Sequence, residues 1–227
     1  MNINSLITGH QQPLVFLHGW GASMQLMNPH AALLSHDYKC INLDLFGFGK
    51  SDEIEDYHQF EDYVDALHTF LISKDVYDPI FIAHSFGARV AIAYASKYPV
   101  KAMVLTGAAG IRAPLSLKRK LRIFLHHKGF HMKGSYDYEK ASVFLRKVLV
   151  DAVNQDLSEV MKEIMVPVLL IWGEYDKETP LWMGKRMHEL MSQSTLIVFK
   201  GGDHFAYYQE YARFCFIVKQ FLEGLDQ

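Results

Sequence analysis

The chain has 227 residues, half of them hydrophobic, and a formal net charge of −2. This length permits one sizeable core, and the charge gives no overall basic field that would attract nucleic acid. The two cysteines, Cys40 and Cys215, stand far apart in apolar surroundings, so we expect buried free thiols rather than a disulfide framework. We also expect a cytoplasmic protein with no membrane partner, because neither a signal-peptide pattern nor a run of roughly 18 apolar residues occurs.

Short apolar runs alternate with amphipathic stretches, a pattern typical of a parallel sheet covered by helices. Strands are predicted at residues 14–17, 38–44, 80–84, 102–106, 166–172 and 194–199. Helices are predicted at residues 57–73, 86–98, 181–191 and 205–222. Several of the strand runs consist almost entirely of Val, Ile, Leu and Phe, as expected of strands buried on both faces. The sequence therefore predicts an α/β fold with a mostly parallel sheet flanked by helices.

Residues 111–165 break this alternation because they contain no convincing strand. A basic helix is predicted around residues 115–127, and one or two more helices within residues 137–163. An insertion of this size between two strands is typical of a helical lid over a site. We therefore expect residues 1–110 and 166–227 to form the core and residues 111–165 to form a small helical cap.

A serine turn directly follows the predicted strand at residues 80–84, and a predicted helix begins immediately after it. The string AHSFG at residues 83–87 departs from the G-x-S-x-G pattern of a nucleophile elbow only at Ala83. Small residues suit an elbow because the turn is tight and the serine backbone is strained. Ser85 is therefore a candidate nucleophile, and the alternative interpretation is a serine that only caps a helix.

A glycine-rich turn, HGWG at residues 18–21, follows the first predicted strand. An acyl-transfer site needs two N–H donors aimed at the oxyanion that develops on the substrate. One donor would come from Phe86, the residue after the candidate nucleophile, and the other from Trp20 in this turn. The candidate walls of the substrate pocket are His18, Phe46 and Phe205.

A carboxylate and a histidine follow the last two predicted strands. Asp176 is the preferred acid because it lies deep in its turn, although Glu174 and Glu178 compete for the role. His204, after two glycines, has the position that a general base needs. Ser85, Asp176 and His204 would then each follow the carboxyl end of a strand, in the chain order of a known hydrolase fold and at the edge where open parallel sheets bind ligands.

Nearly the whole sequence resembles the α/β-hydrolase superfamily. The resemblance is carried by the strings at residues 18–21, 44–51, 84–87, 172–176 and 202–205. The sequence is most similar to the small cofactor-free members of this superfamily that have a helical cap, a group of esterases and related enzymes. The resemblance implies a triad of Ser85, Asp176 and His204, an oxyanion hole from the Trp20 and Phe86 N–H groups, and no cofactor or metal. The family's N-terminal hairpin looks shortened, so we expect a sheet edge that lacks a strand and that a second copy, in a homodimer, could cover.

These features predict hydrolysis of a small or medium ester through an acyl-enzyme, with a small-molecule substrate and no nucleic-acid partner. The same triad also permits C–C bond hydrolysis or lyase chemistry on a polar substrate. The side chains that could hold such a substrate are Arg112, Arg119, Arg122 and Arg146. A thioesterase or an acyl-carrier-dependent esterase is a further alternative, since a basic lid helix suits an acidic carrier. A receptor without turnover is disfavoured because all three catalytic groups are present.

Overall fold

The computed structural model describes residues 2–112 and 141–226, and these contain a seven-stranded sheet. The strands are β1 (Ser5–Thr8), β2 (Pro13–Leu17), β3 (Lys39–Leu43), β4 (Ile80–His84), β5 (Ala102–Thr106), β6 (Val168–Gly173) and β7 (Ser194–Phe199). They lie in the order β1-β3-β2-β4-β5-β6-β7. Strand β1 pairs antiparallel with β3, and the other neighbouring pairs are parallel. The sheet is mostly parallel, as the sequence predicts.

Helices pack on both faces of this sheet. They are α1 (Asn28–Leu34), α2 (Phe60–Ile72), α3 (Phe86–Ala95), α4 (Val143–Asn154), α5 (Ser158–Glu163), α6 (Leu181–Leu190), α7 (Ala206–Gln209) and α8 (Tyr211–Glu223). Alternate residues of β4 point to opposite faces, so Phe81 packs in the core beneath α2 and α3 while Ile82 packs in the core beneath α1 and α8. Among the helices described, none is long and apolar enough to cross a membrane.

Strand β1 was not predicted. It is a single antiparallel strand at the edge of the sheet and not a two-stranded hairpin, which agrees with the expectation of a shortened N-terminal hairpin. Its pairing with β3 runs from Ser5 opposite Leu43 to Thr8 opposite Cys40. The strand has four residues, and Leu6 and Ile7 are exposed. A run this short carries no periodic signal that separates a strand from a loop.

The expected cap falls partly outside the described residues, since the predicted basic helix lies within residues 113–140. Helices α4 and α5 follow that segment and are tied to the core. The hydroxyl of Tyr57 donates to Asp151 on α4 at 2.8 Å, and the N–H of Leu157 donates to the carbonyl of Gly110 at 2.9 Å. The segment that follows β5 and the segment that leads toward β6 are therefore adjacent at Gly110 and Leu157.

Both cysteines are buried free thiols. Burial raises the pKa of Cys40 to about 12 and that of Cys215 to about 11. Because the thiolate is the reactive form, these two groups are poor nucleophiles at neutral pH.

Candidate active site

Ser85 occupies the turn between β4 and α3, with a φ of 52° and a ψ of −110°. A positive φ is uncommon for a residue with a side chain, so this backbone is strained. Hydrogen bonds hold it in place: its N–H donates to the carbonyl of Thr106 at 3.0 Å, and its carbonyl accepts the N–H of Ala109 at 3.1 Å. The turn presents the serine at the carboxyl edge of the sheet.

The two small residues of the elbow meet different constraints. A Cβ at Gly87 would lie 2.4 Å from the carbonyl oxygen of Leu17 and 2.6 Å from that of His18, so only glycine fits there. Ala83 lies in β4 opposite Leu17 and Leu105 and is fully buried. The departure from the glycine pattern therefore falls at a position where the core accommodates a methyl group.

Asp176 and His204 follow β6 and β7 and meet at the same edge. Oδ2 of Asp176 lies 2.8 Å from Nδ1 of His204. The carboxylate is fully buried, and the imidazole is 11% exposed. Oδ1 of Asp176 accepts the N–H groups of Glu178 and Thr179, each at 2.9 Å. Both carboxylate oxygens are thus bound, and Nε2 of His204 is the ring nitrogen left for other contacts.

Thr179 also belongs to this network, although no motif in the sequence points to it. Its Oγ1 lies 3.0 Å from Oδ2 of Asp176 and 2.9 Å from the carbonyl of Gly107. It also lies 3.4 Å from Nδ1 of His204. Its position three residues after Asp176 indicates only a turn closed by the aspartate side chain, which is a common local motif.

A cavity of about 540 Å³ opens beside these groups. The described residues that line it are Gly19, Trp20, Gly21, Ala22, Leu26, His84, Ser85, Glu178, His204 and Phe205. The structure therefore brings the candidate nucleophile and the candidate base to the wall of one cavity. Trp20 and Phe205, two of the predicted pocket and oxyanion residues, share that wall.

A family model described as "Alpha/beta hydrolase family" matches residues 14–215. The chain belongs to the alpha/beta hydrolase family. The fold predicted from the sequence is thereby confirmed, together with the superfamily.

Relatives of this alpha/beta hydrolase carry several activities. The AB hydrolase superfamily protein YisY of Bacillus subtilis is 24% identical, over 94% of this chain and 92% of that protein. The meta-cleavage product hydrolase from Pseudomonas fluorescens IP01 is 23% identical with a TM-score of 0.79, over 98% of this chain and 94% of that one. An esterase from Exiguobacterium antarcticum is 20% identical with a TM-score of 0.81, over 97% and 95%. At these identities the likeness establishes a shared fold and leaves the substrate open.

Two of the expected pocket residues of this alpha/beta hydrolase lie behind the cavity wall instead. His18 is fully buried: its Nε2 accepts the N–H of Leu45 at 3.0 Å, so Nδ1 carries the proton and faces the carbonyl of Gly19 at 2.7 Å. Phe46 is 1% exposed and packs edge-on against Tyr63. Neither is among the described residues that line the cavity. In the structure His18 instead binds the backbone of Leu45, and Phe46 packs in the core.

The two expected oxyanion donors lie in adjacent turns. A Cβ at Gly19 would lie 3.3 Å from the Cβ of Ser85, which places the turn after β2 against the elbow. The rings of Trp20 and Phe86 pack edge to face with centroids 5.2 Å apart. Within the described parts of the chain, neither backbone N–H has a hydrogen-bond acceptor. Phe86 begins α3, where N–H groups have no acceptor inside the helix.

His84 packs directly on the candidate base. Its ring centroid lies 4.5 Å from that of His204 and 4.5 Å from that of Tyr207, and its Nδ1 lies 3.1 Å from the carbonyl of Thr106. Burial, and next the proximity of His204, lower the pKa of His84 well below its usual value. The neighbour of His204 is therefore a neutral imidazole at physiological pH.

Of the four arginines considered for a polar substrate, the two that the structure describes, Arg112 and Arg146, are not part of the described cavity wall. Arg119 and Arg122 lie outside the described residues. Arg112 is exposed, and Arg146 lines a separate cavity beside α4. No group of three metal-ligating side chains occurs within residues 2–112 and 141–226.

Proposed function

We propose that this alpha/beta hydrolase cleaves small or medium carboxylic esters, with Ser85 as nucleophile, His204 as base and Asp176 as the acid that orients it. The observation that carries the proposal is the 2.8 Å contact between Nδ1 of His204 and Oδ2 of Asp176, beside a cavity that Ser85 also lines. This contact favours the tautomer with the proton on Nδ1. Nε2 then has a lone pair with which to accept the serine proton.

In the proposed reaction His204 takes the proton of Ser85 as the serine oxygen attacks the ester carbonyl. The carbonyl oxygen becomes an oxyanion that accepts hydrogen bonds from the N–H groups of Trp20 and Phe86. His204 then gives its proton to the departing alcohol, and the acyl group remains on Ser85. A water molecule attacks this acyl-enzyme with His204 again as base, which releases the acid and restores the serine.

The described cavity wall suits an apolar substrate of modest size. A volume of about 540 Å³ lies within the range of small-molecule pockets. Its apolar side chains are Trp20, Ala22, Leu26 and Phe205. These groups support a small or medium acyl or aryl ester as substrate.

C–C bond hydrolysis is a second candidate function, favoured by the structural likeness to a meta-cleavage product hydrolase. The same nucleophile, base and acid would serve, with a carbon leaving group in place of an alcohol. The described cavity wall contains no arginine to bind a carboxylate on such a substrate. Ester hydrolysis is the first candidate because the apolar side chains of the described wall suit an acyl or aryl group.

Hydrolysis of p-nitrophenyl esters with acyl chains of increasing length tests the proposal. We expect clear wild-type activity on short and medium chains and a fall of about 10³-fold or more in kcat/KM for Ser85→Ala. The matched control is Ser35→Ala, which removes the hydroxyl of a half-buried serine, distant in sequence from the site, that donates to the carbonyl of Ala32. Wild-type activity no greater than that of Ser85→Ala would refute the esterase proposal, and activity confined to a diketone substrate would favour C–C hydrolysis.

A further inference from the structure

The wall of the site cavity includes a carboxylate that the proposed acyl transfer does not use. Glu178 lies in the turn after β6, where its N–H donates to Oδ1 of Asp176 at 2.9 Å, so its position is set by the acid itself. Its side chain is exposed and has no hydrogen-bond or ion-pair partner in the described part of the chain. The described lining of the cavity includes neither lysine nor arginine. Among the described residues, no cationic side chain offsets this negative charge at the cavity wall.

Aromatic side chains accompany that carboxylate on the cavity wall. The ring of Trp20 is held edge to face by Phe48 at 5.0 Å and by Phe86 at 5.2 Å. Phe205 is 43% exposed, and its centroid lies 5.4 Å from that of His204. A carboxylate attracts a cation by Coulomb's law, and an aromatic face attracts it through the ring quadrupole. The combination favours an ammonium group and disfavours an anionic substrate.

The position of Glu178 indicates which part of the ester carries the charge. His204 protonates the leaving alcohol, so the alcohol part of the substrate must lie beside the imidazole. Glu178 stands two residues after Asp176, which binds that imidazole. We propose that Glu178 selects esters whose alcohol part carries a positively charged ammonium group. This inference rests on the proposed esterase function and names the substrate class for the same site.

Two esters of the same shape test this inference: butyrylcholine and 3,3-dimethylbutyl butyrate, which differ by one positive charge. We expect the wild type to prefer butyrylcholine by about fivefold or more in kcat/KM, and Glu178→Gln to reduce that ratio to about one. The matched control is Glu174→Gln, in the same turn, because the Glu174 carboxylate accepts the N–H of Gly201 and is not part of the described wall. It should keep the wild-type ratio within about twofold, and raising the salt concentration should lower the ratio.

A second pair of esters carries the charge on the acyl side: ethyl 4-(trimethylammonio)butanoate and ethyl 5,5-dimethylhexanoate. For this second pair, we expect the ratio of the two kcat/KM values to be the same in Glu178→Gln as in the wild type. Equal wild-type kcat/KM for butyrylcholine and its neutral partner would overturn the proposal. If Glu178→Gln lowers the preference for the charged ester in the acyl-side pair but not in the butyrylcholine pair, the assignment of the charge to the alcohol part is overturned.

Direct binding separates failure of this inference from failure of the esterase proposal. Saturation-transfer NMR compares choline with 3,3-dimethyl-1-butanol and requires no turnover. We expect a choline signal with the wild type and Glu174→Gln that is strongly reduced with Glu178→Gln. If neutral esters are not hydrolysed but this pattern holds, the cation site stands and the reaction is different. Choline binding that is equal in all three proteins, or absent from the wild type, refutes the role of Glu178.

Discussion

The hydroxyl oxygen of Thr179 lies 3.0 Å from Oδ2 of Asp176, the same oxygen that lies 2.8 Å from Nδ1 of His204. The backbone N–H of Thr179 binds the other carboxylate oxygen at 2.9 Å. The hydroxyl also lies 2.9 Å from the carbonyl of Gly107, so one residue joins the turn after β6 to the end of β5. Thr179 thereby fixes where the carboxylate sits and how the imidazole is presented to the cavity.

Replacing Thr179 with valine removes the hydroxyl at nearly constant volume. We expect kcat/KM for a p-nitrophenyl ester to fall about tenfold, because a buried hydrogen bond to a charged group contributes about 1.5 kcal/mol to the orientation of the acid. Thr179→Ser keeps the hydroxyl and should restore most of the activity. Steady-state kinetics with the three proteins, together with their urea midpoints, separate a positioning role from simple loss of stability. Full activity of the valine variant would contradict this role.

Gly87→Ala should disrupt the elbow. The added Cβ would lie 2.4 Å from the carbonyl oxygen of Leu17, and that carbonyl belongs to β2, an inner strand of the sheet. We expect a loss of about 3 kcal/mol in the free energy of unfolding, because a packed backbone cannot move aside cheaply. Urea denaturation measures the change. Gly224→Ala is the control, since a Cβ there meets no atom within 4 Å, and it should leave the unfolding free energy within about 0.5 kcal/mol.

Ala83→Gly restores the G-x-S-x-G pattern of a nucleophile elbow and tests whether alanine at its first position affects stability or activity. Ala83 is fully buried in β4, so glycine removes a packed methyl group and adds backbone freedom. We expect the free energy of unfolding to fall by about 1 to 2 kcal/mol, with kcat/KM within about threefold of the wild type. Thermal denaturation and ester kinetics check the two parts. A large gain in activity would mean that alanine distorts the serine turn.

The sequence predicted the features that depend on contiguous residues. The strand, the strained turn and the helix around Ser85 are encoded by one contiguous stretch of sequence. The Ser85 turn packs against the turn after β2 because β2 and β4 are neighbours in the sheet. The contact of Thr179 with Gly107 was not predictable, because it joins residues 72 positions apart through loops whose paths depend on β5 and β6. The placement of His18 failed for a similar reason: its ring turns inward to accept the N–H of Leu45, a bond that the motif alone does not indicate.

Burial lowers the pKa of His18, His30 and His84 below the ordinary value of 6.5. Well above pH 6.5 these groups are neutral in both the folded and the unfolded chain, so they add no pH dependence there. Below pH 6.5 the unfolded chain takes up protons that the folded chain does not, and the free energy of unfolding falls as the pH falls. Each such histidine contributes a slope of about 1.4 kcal/mol per pH unit until its folded pKa is reached.

His30→Phe should reduce this acid sensitivity. His30 is fully buried among aromatic rings, with Nε2 3.1 Å from the carbonyl of Tyr207. Phenylalanine cannot take up a proton, so the curve of unfolding free energy against pH should be shallower between pH 6.5 and 5, even if the variant is less stable at pH 7. Urea denaturation at half-unit pH steps gives the slopes of the wild type and of His30→Phe. Parallel curves would mean that His30 takes up its proton equally in the folded and the unfolded chain.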